Sequence, residues 1–341
     1  MATGVFTYSN PRVIHWGRGS VAQLSAELQR LEIQRVAMVT TRSLLPELHR
    51  LPGKPAATIV ISQHAPMSQI DAGVEDAATA RAEGIVSFGG GSAIDAAKII
   101  SVRLSDGGGR ALPHLAIPTT LSVAELAAGA GYTNESGDKA GMRDPRLLVE
   151  TVIYDPELTL ATPMQLWLST GIRALDHAVE GFLADGEHPF SDVMALEGIH
   201  GLFSSLPRAM AAPDDLGVRM ENQIAAWFSF TLPGASASGL SHMMGKQIGA
   251  RYRIPHGVTS CLLLPYVMRY LATKTPERMA ILSEALGGIA ADRVEHLIEF
   301  LGLPQHIAAY GIGEPELRHA AGELAGRYPA EDLFRIYVSA L

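Results

Sequence analysis

The sequence predicts an α/β protein built in two parts, an N-terminal doubly wound parallel-sheet domain followed by a C-terminal all-helical domain. Three observations point there. Short β-rich runs recur in the first half, as VAMVT at residues 36 to 40, ATIVI at 57 to 61 and GIVSFGG at 84 to 90. Helix-compatible segments, Val21 to Arg30 and Ala72 to Arg81 among them, alternate with these runs. From about Pro163 to the C-terminus the strand-like runs give way to long stretches rich in alanine, leucine and methionine with helical spacing.

Each part follows from its pattern. Apolar β-rich runs bounded by turn residues suit strands buried in a sheet, and their alternation with helices makes βαβ units and hence parallel pairing. Asp155-Pro156 punctuates the change of character, so a boundary is expected near residues 150 to 162, giving domains 1–155 and 156–341. No internal repeat or low-complexity linker interrupts either part.

Composition narrows the function classes. A chain of 341 residues is the length of two packed units, and 47% hydrophobic with 18% charged residues is the balance of a folded protein. A net charge of −8 without a block of consecutive Lys or Arg argues against a nucleic-acid partner. The single cysteine, Cys261, begins the apolar run Cys261-Leu262-Leu263-Leu264, which predicts a buried structural thiol in a reducing compartment rather than a nucleophile. The N-terminus has no basic start followed by an apolar segment, and nowhere do about 18 apolar residues run uncharged, so no membrane association is expected and the cytoplasm is the expected location.

The strongest chemical signal is Ile85-Val86-Ser87-Phe88-Gly89-Gly90-Gly91-Ser92-Ala93-Ile94-Asp95-Ala96-Ala97-Lys98, a strand that ends in three glycines and opens a helix. Glycines let the backbone approach an anion, and the free N–H groups and positive dipole end of the following helix can hold a diphosphate. The competing reading is a tight turn with Ser92 as an ordinary helix cap. Neither GxGxxG nor GxxxxGK[ST] is matched.

Gly89-Gly90-Gly91-Ser92 with Asp95 and Lys98 resembles the GGGSxxDxAK signature of the iron-containing alcohol dehydrogenase, or dehydroquinate synthase-like, superfamily. Ile117-Pro118-Thr119-Thr120 resembles its nucleotide-binding loop, Pro255-His256-Gly257 its late metal-ligand motif, and Arg143-Asp144-Pro145-Arg146 through Asp155-Pro156 a stretch of its maleylacetate reductases. Together these motifs span nearly the whole chain. The resemblance implies a nicotinamide cofactor, NAD(H) or NADP(H), whose diphosphate lies on Gly89 to Ser92 with Asp95, Lys98, Thr119 and Thr120 around it. After the first strand, Thr41 stands where NAD-preferring relatives carry an acid; Thr41 beside Arg42 could accept a 2′-phosphate, unless Arg42 is merely solvated. Glu125 keeps the family's spacing from the paired threonines, but Val123 and Ala124 replace the glycine and serine usual before it.

The family's metal site uses an aspartate and a histidine on one helix and two further histidines. Arg173 stands at the aspartate, His177 is retained, His242 is kept but Lys246 stands at the expected third ligand, and His256 completes the set. Arginine stays protonated and lysine must lose a proton to coordinate, so no catalytic metal is expected. Asp176, about 100° around the helix from His177, is an unlikely substitute ligand. Instead, Arg173 and Lys246 are candidates for binding an anion or polarising a carbonyl, while His242 or His256 could move a proton; Glu180 is a weaker candidate. The pairs Arg173/His177 and His242/Lys246 are each four apart and can share a helix face. The expected activity is metal-independent, NAD(P)H-dependent reduction of a small, carboxylated carbonyl compound, by a homodimer. A lyase, hydrolase or cyclase on the same scaffold is the alternative, and a binding protein without turnover a third reading.

Overall fold

The β-rich runs read from the sequence are buried strands. In the computed structural model, which describes residues 11–341 apart from 106–108, 187, 231–238 and 253, they join a six-stranded parallel sheet. In chain order its strands are β1 (Val13–Trp16), β2 (Val36–Thr40), β3 (Ala57–Val60), β4 (Gly84–Gly89), β5 (His114–Pro118) and, after a separate hairpin of β6 (Gly129–Thr133) and β7 (Lys139–Arg143), β8 (Thr151–Tyr154). The spatial order is β1-β8-β5-β4-β2-β3, with Thr40 of β2 opposite Phe88 of β4.

Side chains alternate across the sheet, and both faces are covered. Ala37, Val39, Ile59 and Ile85 pack on one face with Ala93, Ala96, Ala97 and Ile100 of α3 (Gly91–Arg103), alongside Ile70 and Ala77 of α2 (Met67–Thr79). Met38, Val86, Phe88, Leu115 and Ile117 pack on the other with Leu24 of α1 (Gln23–Arg30) and Leu44 of the 3-10 stretch Arg42–Arg50. The antiparallel hairpin was not legible in the sequence, because GAGYT and KAGMR are short, glycine-bearing and only partly buried.

The second part is helical among its described residues. It comprises α4 (Met164–Phe182), α5 (Pro189–Ala211), α6 (Leu216–Ser229), α7 (Leu240–Arg251), α8 (His256–Ala272), α9 (Pro276–Ala285), α10 (Ala290–Phe300), α11 (Glu314–Leu324) and α12 (Ala330–Ser339). One core gathers Leu240, Met244 and Ile248 of α7, Leu262, Leu263 and Val267 of α8, Leu317 of α11, and Leu333 and Tyr337 of α12. Cys261 is buried, and burial pushes its thiol far above the usual range, as a structural cysteine requires. No described helix is long and apolar enough to cross a membrane.

The division between the two units falls at Pro163, later than residue 155, and Asp214–Gln223 returns to the α/β unit. Local hydrogen bonds account for both differences. Thr162 Oγ1 donates to the Thr119 carbonyl at 2.7 Å, and the buried Arg219 donates to the Thr159 carbonyl at 2.9 Å, so both segments attach to the sheet side.

Candidate functional site

The α/β unit carries a cradle. Chain order runs outward from β2 to β3 on one side and through β4 and β5 on the other, so the loops after β2 and β4 meet at a topological switch point, where open α/β sheets bind ligands. Thr41 and Arg42 follow β2, and Gly89 to Ser92 follow β4. A Cβ at Gly90 would lie 2.9 Å from the Thr120 side chain, so this close approach needs glycine. The N-cap of α3 is Gly90, which has no side chain to cap the helix, and this leaves the N-terminal dipole end to a ligand. Ser92 is not the ordinary cap: its Oγ accepts the backbone N–H of His64 at 3.0 Å. Thr119 and Thr120 are buried, with Thr120 Oγ1 donating to Ser122 Oγ at 3.2 Å. Thr41 Oγ1 shares a 3.1 Å hydrogen bond with Ser43 Oγ, and Arg42 is exposed.

Two residues expected around the cofactor are occupied elsewhere. Lys98 is buried, and its ammonium donates to the carbonyls of Ala124, Ala127 (2.6 Å) and Gly129 (3.0 Å), which uses its three protons. Asp95 Oδ2 accepts the backbone N–H of Gly131 at 3.0 Å. Both therefore brace the segment from residue 124 to the β6–β7 hairpin, a role that depends on contacts some 30 residues away and that the motif does not show. In the same segment Tyr154 OH donates to Glu125 Oε1 at 2.8 Å, while burial pushes Glu125 up to about 7.

Val123 shows what replaces the missing glycine. Its φ of 54° is left-handed, a conformation in which a β-branched residue is strained, although the side chain is buried. Val123→Gly and Val123→Ala lose similar packing, but only glycine escapes the strain. The glycine variant should therefore be the more stable of the two by about 1 kcal/mol in urea denaturation, the reverse of the usual order.

The helical unit carries a buried polar cluster on α4, α7 and α8. Glu180 Oε1 accepts the backbone N–H groups of Ser241 and His242 (3.4 Å for His242), so a side chain of α4 caps the start of α7. A Cβ at Gly239 would fall 2.3 Å from the Glu180 carboxyl carbon, so this cap requires glycine before Leu240. Glu180 Oε2 lies 2.7 Å from His242 Nδ1, and His242 Nε2 lies 3.1 Å from His177 Nε2. Burial pushes Glu180 up to about 7 and holds His242 well below its ordinary value, so His242 is a neutral imidazole at neutral pH. Phe230 stacks edge-on to His177 with centroids 5.0 Å apart.

Arg173 lies beside this chain, 4% exposed, and its Nη1 donates to Ser260 Oγ at 3.1 Å. Ser260 Oγ donates onward to Asp176 Oδ2 at 2.6 Å, and Ser241 Oγ donates to the same oxygen at 2.9 Å. Arg173 Nη1 is 3.9 Å from Asp176 Oδ2. Burial pushes Asp176 up to about 6 and lowers Arg173 to about 10, each drawn back by the other's charge, so the guanidinium stays charged at neutral pH.

This geometry corrects two expectations. Asp176 belongs to the cluster: it stands three residues from Arg173, and i,i+3 neighbours share a helix face, which brings its carboxylate to Arg173, Ser241 and Ser260. Lys246 does not belong to it. The residue of α7 that meets His177 is His242, and Lys246, one turn on, is exposed. His256 opens α8, and its side chain lies outside the described residues. Ser241 and Ser260 carried no sequence signal, since isolated serines in apolar helices look like filler.

Asp176, Glu180 and His242 bring one ligand-type atom each within 4.8 Å of one another, which tests whether a metal fits. The donor set fits poorly. Glu180 is engaged at both oxygens, by the start of α7 at Oε1 and by His242 at Oε2, and a permanent cation stands 3.9 Å from Asp176. Arg173 also fills the position at which the resembled family offers a carboxylate.

Comparison with known proteins agrees with the motifs along the whole chain. The iron-containing alcohol dehydrogenase profile matches residues 11–156, and the profile of the C-terminal part of the Fe-containing alcohol dehydrogenase family matches residues 167–327. The chain belongs to the iron-containing alcohol dehydrogenase family. It is 32% identical over 330 residues to the maleylacetate reductase of Rhizobium sp. (strain MTP-10005), covering 95% of this chain and 92% of that one. It is 33% identical over 334 residues to that of Pseudomonas aeruginosa, with the same coverage. The crystal structure of maleylacetate reductase from Agrobacterium tumefaciens superposes with a TM-score of 0.91 at 29% identity, covering 100% of this chain and 99% of that one. This member of the family is accordingly an NAD(P)-dependent oxidoreductase, which sets the redox reading above the lyase, hydrolase or cyclase alternative.

Proposed function

We propose that the protein reduces a small carboxylated carbonyl compound of the maleylacetate type with NADH or NADPH, and that it does so without a catalytic metal. The observation that carries this reading is the buried Arg173 guanidinium in a site that would otherwise present a carboxylate to a cation. As hydride reaches the carbonyl carbon, the oxygen gains negative charge, and a fixed guanidinium in a dry site stabilises it. A unit-charge attraction at 4 Å and an effective dielectric of 20 is about 4 kcal/mol before desolvation, enough to replace part of a metal's effect.

The proton for that oxygen comes, in this reading, from the end of the Glu180–His242–His177 chain. Its 2.7 Å and 3.1 Å links let Glu180 support a protonated His177 through His242, as a carboxylate supports a catalytic imidazole.

The test is calorimetric titration of metal-analysed protein with NADH and NADPH, followed by turnover of maleylacetate with and without a chelator. Cofactor binding with chelator-insensitive turnover is expected; turnover abolished by chelation and restored by iron or zinc would overturn metal independence. The exposed Arg42 at the end of β2 suits a 2′-phosphate, so Arg42→Ala should weaken NADPH binding about tenfold while leaving NADH nearly unchanged. Equal loss for both cofactors would remove that role.

A further inference from the structure

We propose that Asp176 is a positioning residue that holds the Arg173 guanidinium in place through the hydroxyl of Ser260; the proposal rests on the reading of Arg173 as the polarising cation. The direction of the relay is fixed by chemistry. A guanidinium can only donate, so Ser260 Oγ must accept from Arg173 Nη1 and must send its own proton elsewhere. The 2.6 Å bond to Asp176 Oδ2 is where it goes. Ser241 Oγ, donating to the same oxygen at 2.9 Å, pins the carboxylate from α7. Three helices thereby converge on one acceptor.

The charges are matched as well. A carboxylate expected at position 173 has become a cation, and a carboxylate three residues on restores a negative charge on the same face of α4. The second oxygen, Asp176 Oδ1, is buried and has no hydrogen-bond partner among the described residues. Among the described residues, the hydrogen bonding of this carboxylate is therefore concentrated on the side that faces Ser260 and Ser241.

The test uses Asp176→Asn and Ser260→Ala in the full-length protein. Solvent exchange of the Arg173 guanidinium protons is read by nitrogen-15 NMR, assigned by their loss in Arg173→Lys, alongside steady-state kinetics. Each variant should speed exchange about tenfold or more and lower kcat about 10- to 100-fold while KM moves less than about threefold, the signature of an interaction realised in the transition state. Because the two residues act in series, the double variant should be no worse than the stronger single one. Unchanged exchange and kcat in Asp176→Asn, or effects that multiply in the double variant, would overturn the proposal. Faster exchange in a protein that reduces no carbonyl compound would leave the positioning role standing and sink the redox reading instead.

Discussion

Arg173→Met is expected to lower kcat by about 100- to 1000-fold, the usual cost of losing one preorganised donor to a developing oxyanion. Added iron or zinc should not restore it, since methionine supplies no carboxylate at position 173 and both Glu180 oxygens remain engaged with His242 and the start of α7. Stability should fall too. Removing one member of a buried pair costs about 3–5 kcal/mol, because the other is left uncompensated, although protonation of Asp176 limits the loss. Arg173→Met combined with Asp176→Leu should recover much of that stability in urea denaturation and none of the activity. A methionine variant with unaltered kcat would remove Arg173 from the reaction.

Lys98→Met is expected to destabilise the protein by about 3–5 kcal/mol, one of the largest single-residue effects available outside the apolar core. The carbonyls of Ala124, Ala127 and Gly129 would lose their donor, each at about 1–3 kcal/mol with incomplete additivity. Thermal unfolding should shift down by roughly 10 °C, and NAD(P)H affinity should fall only as the segment after Thr120 loosens. A Lys98 that gripped the cofactor would behave oppositely, losing affinity at unchanged stability. Denaturation and calorimetry on one variant therefore distinguish a strut from a ligand.

Much of the fold was legible because it depends on local pattern. VAMVT and GIVSFGG are continuous buried strands, and the glycine run after β4 must bend where Thr120 comes within 2.9 Å of where a Cβ would stand. The helical second half follows from spacing alone. The hairpin of β6 and β7 was not legible, since its strands are stabilised by pairing and by the bond from Gly131 to Asp95 rather than by their own composition.

The candidate site divides along the same line. Position 173 could be read as cationic from the sequence, because replacing a ligand carboxylate by arginine changes the chemistry whatever the surroundings. The cradle could be read as well, since glycine and a helix start are local facts. Tertiary structure alone decided that Lys98 supports carbonyls, that His242 rather than Lys246 meets His177, and that Asp176, Ser241 and Ser260 join Arg173. Each of these depends on a hydrogen bond spanning tens of residues, such as Ser260 to Asp176 or Ser241 to Glu180. The sequence determines which groups can donate or accept, and the packing of α4, α7 and α8 determines which of them meet, because a hydrogen bond forms only within about 3 Å.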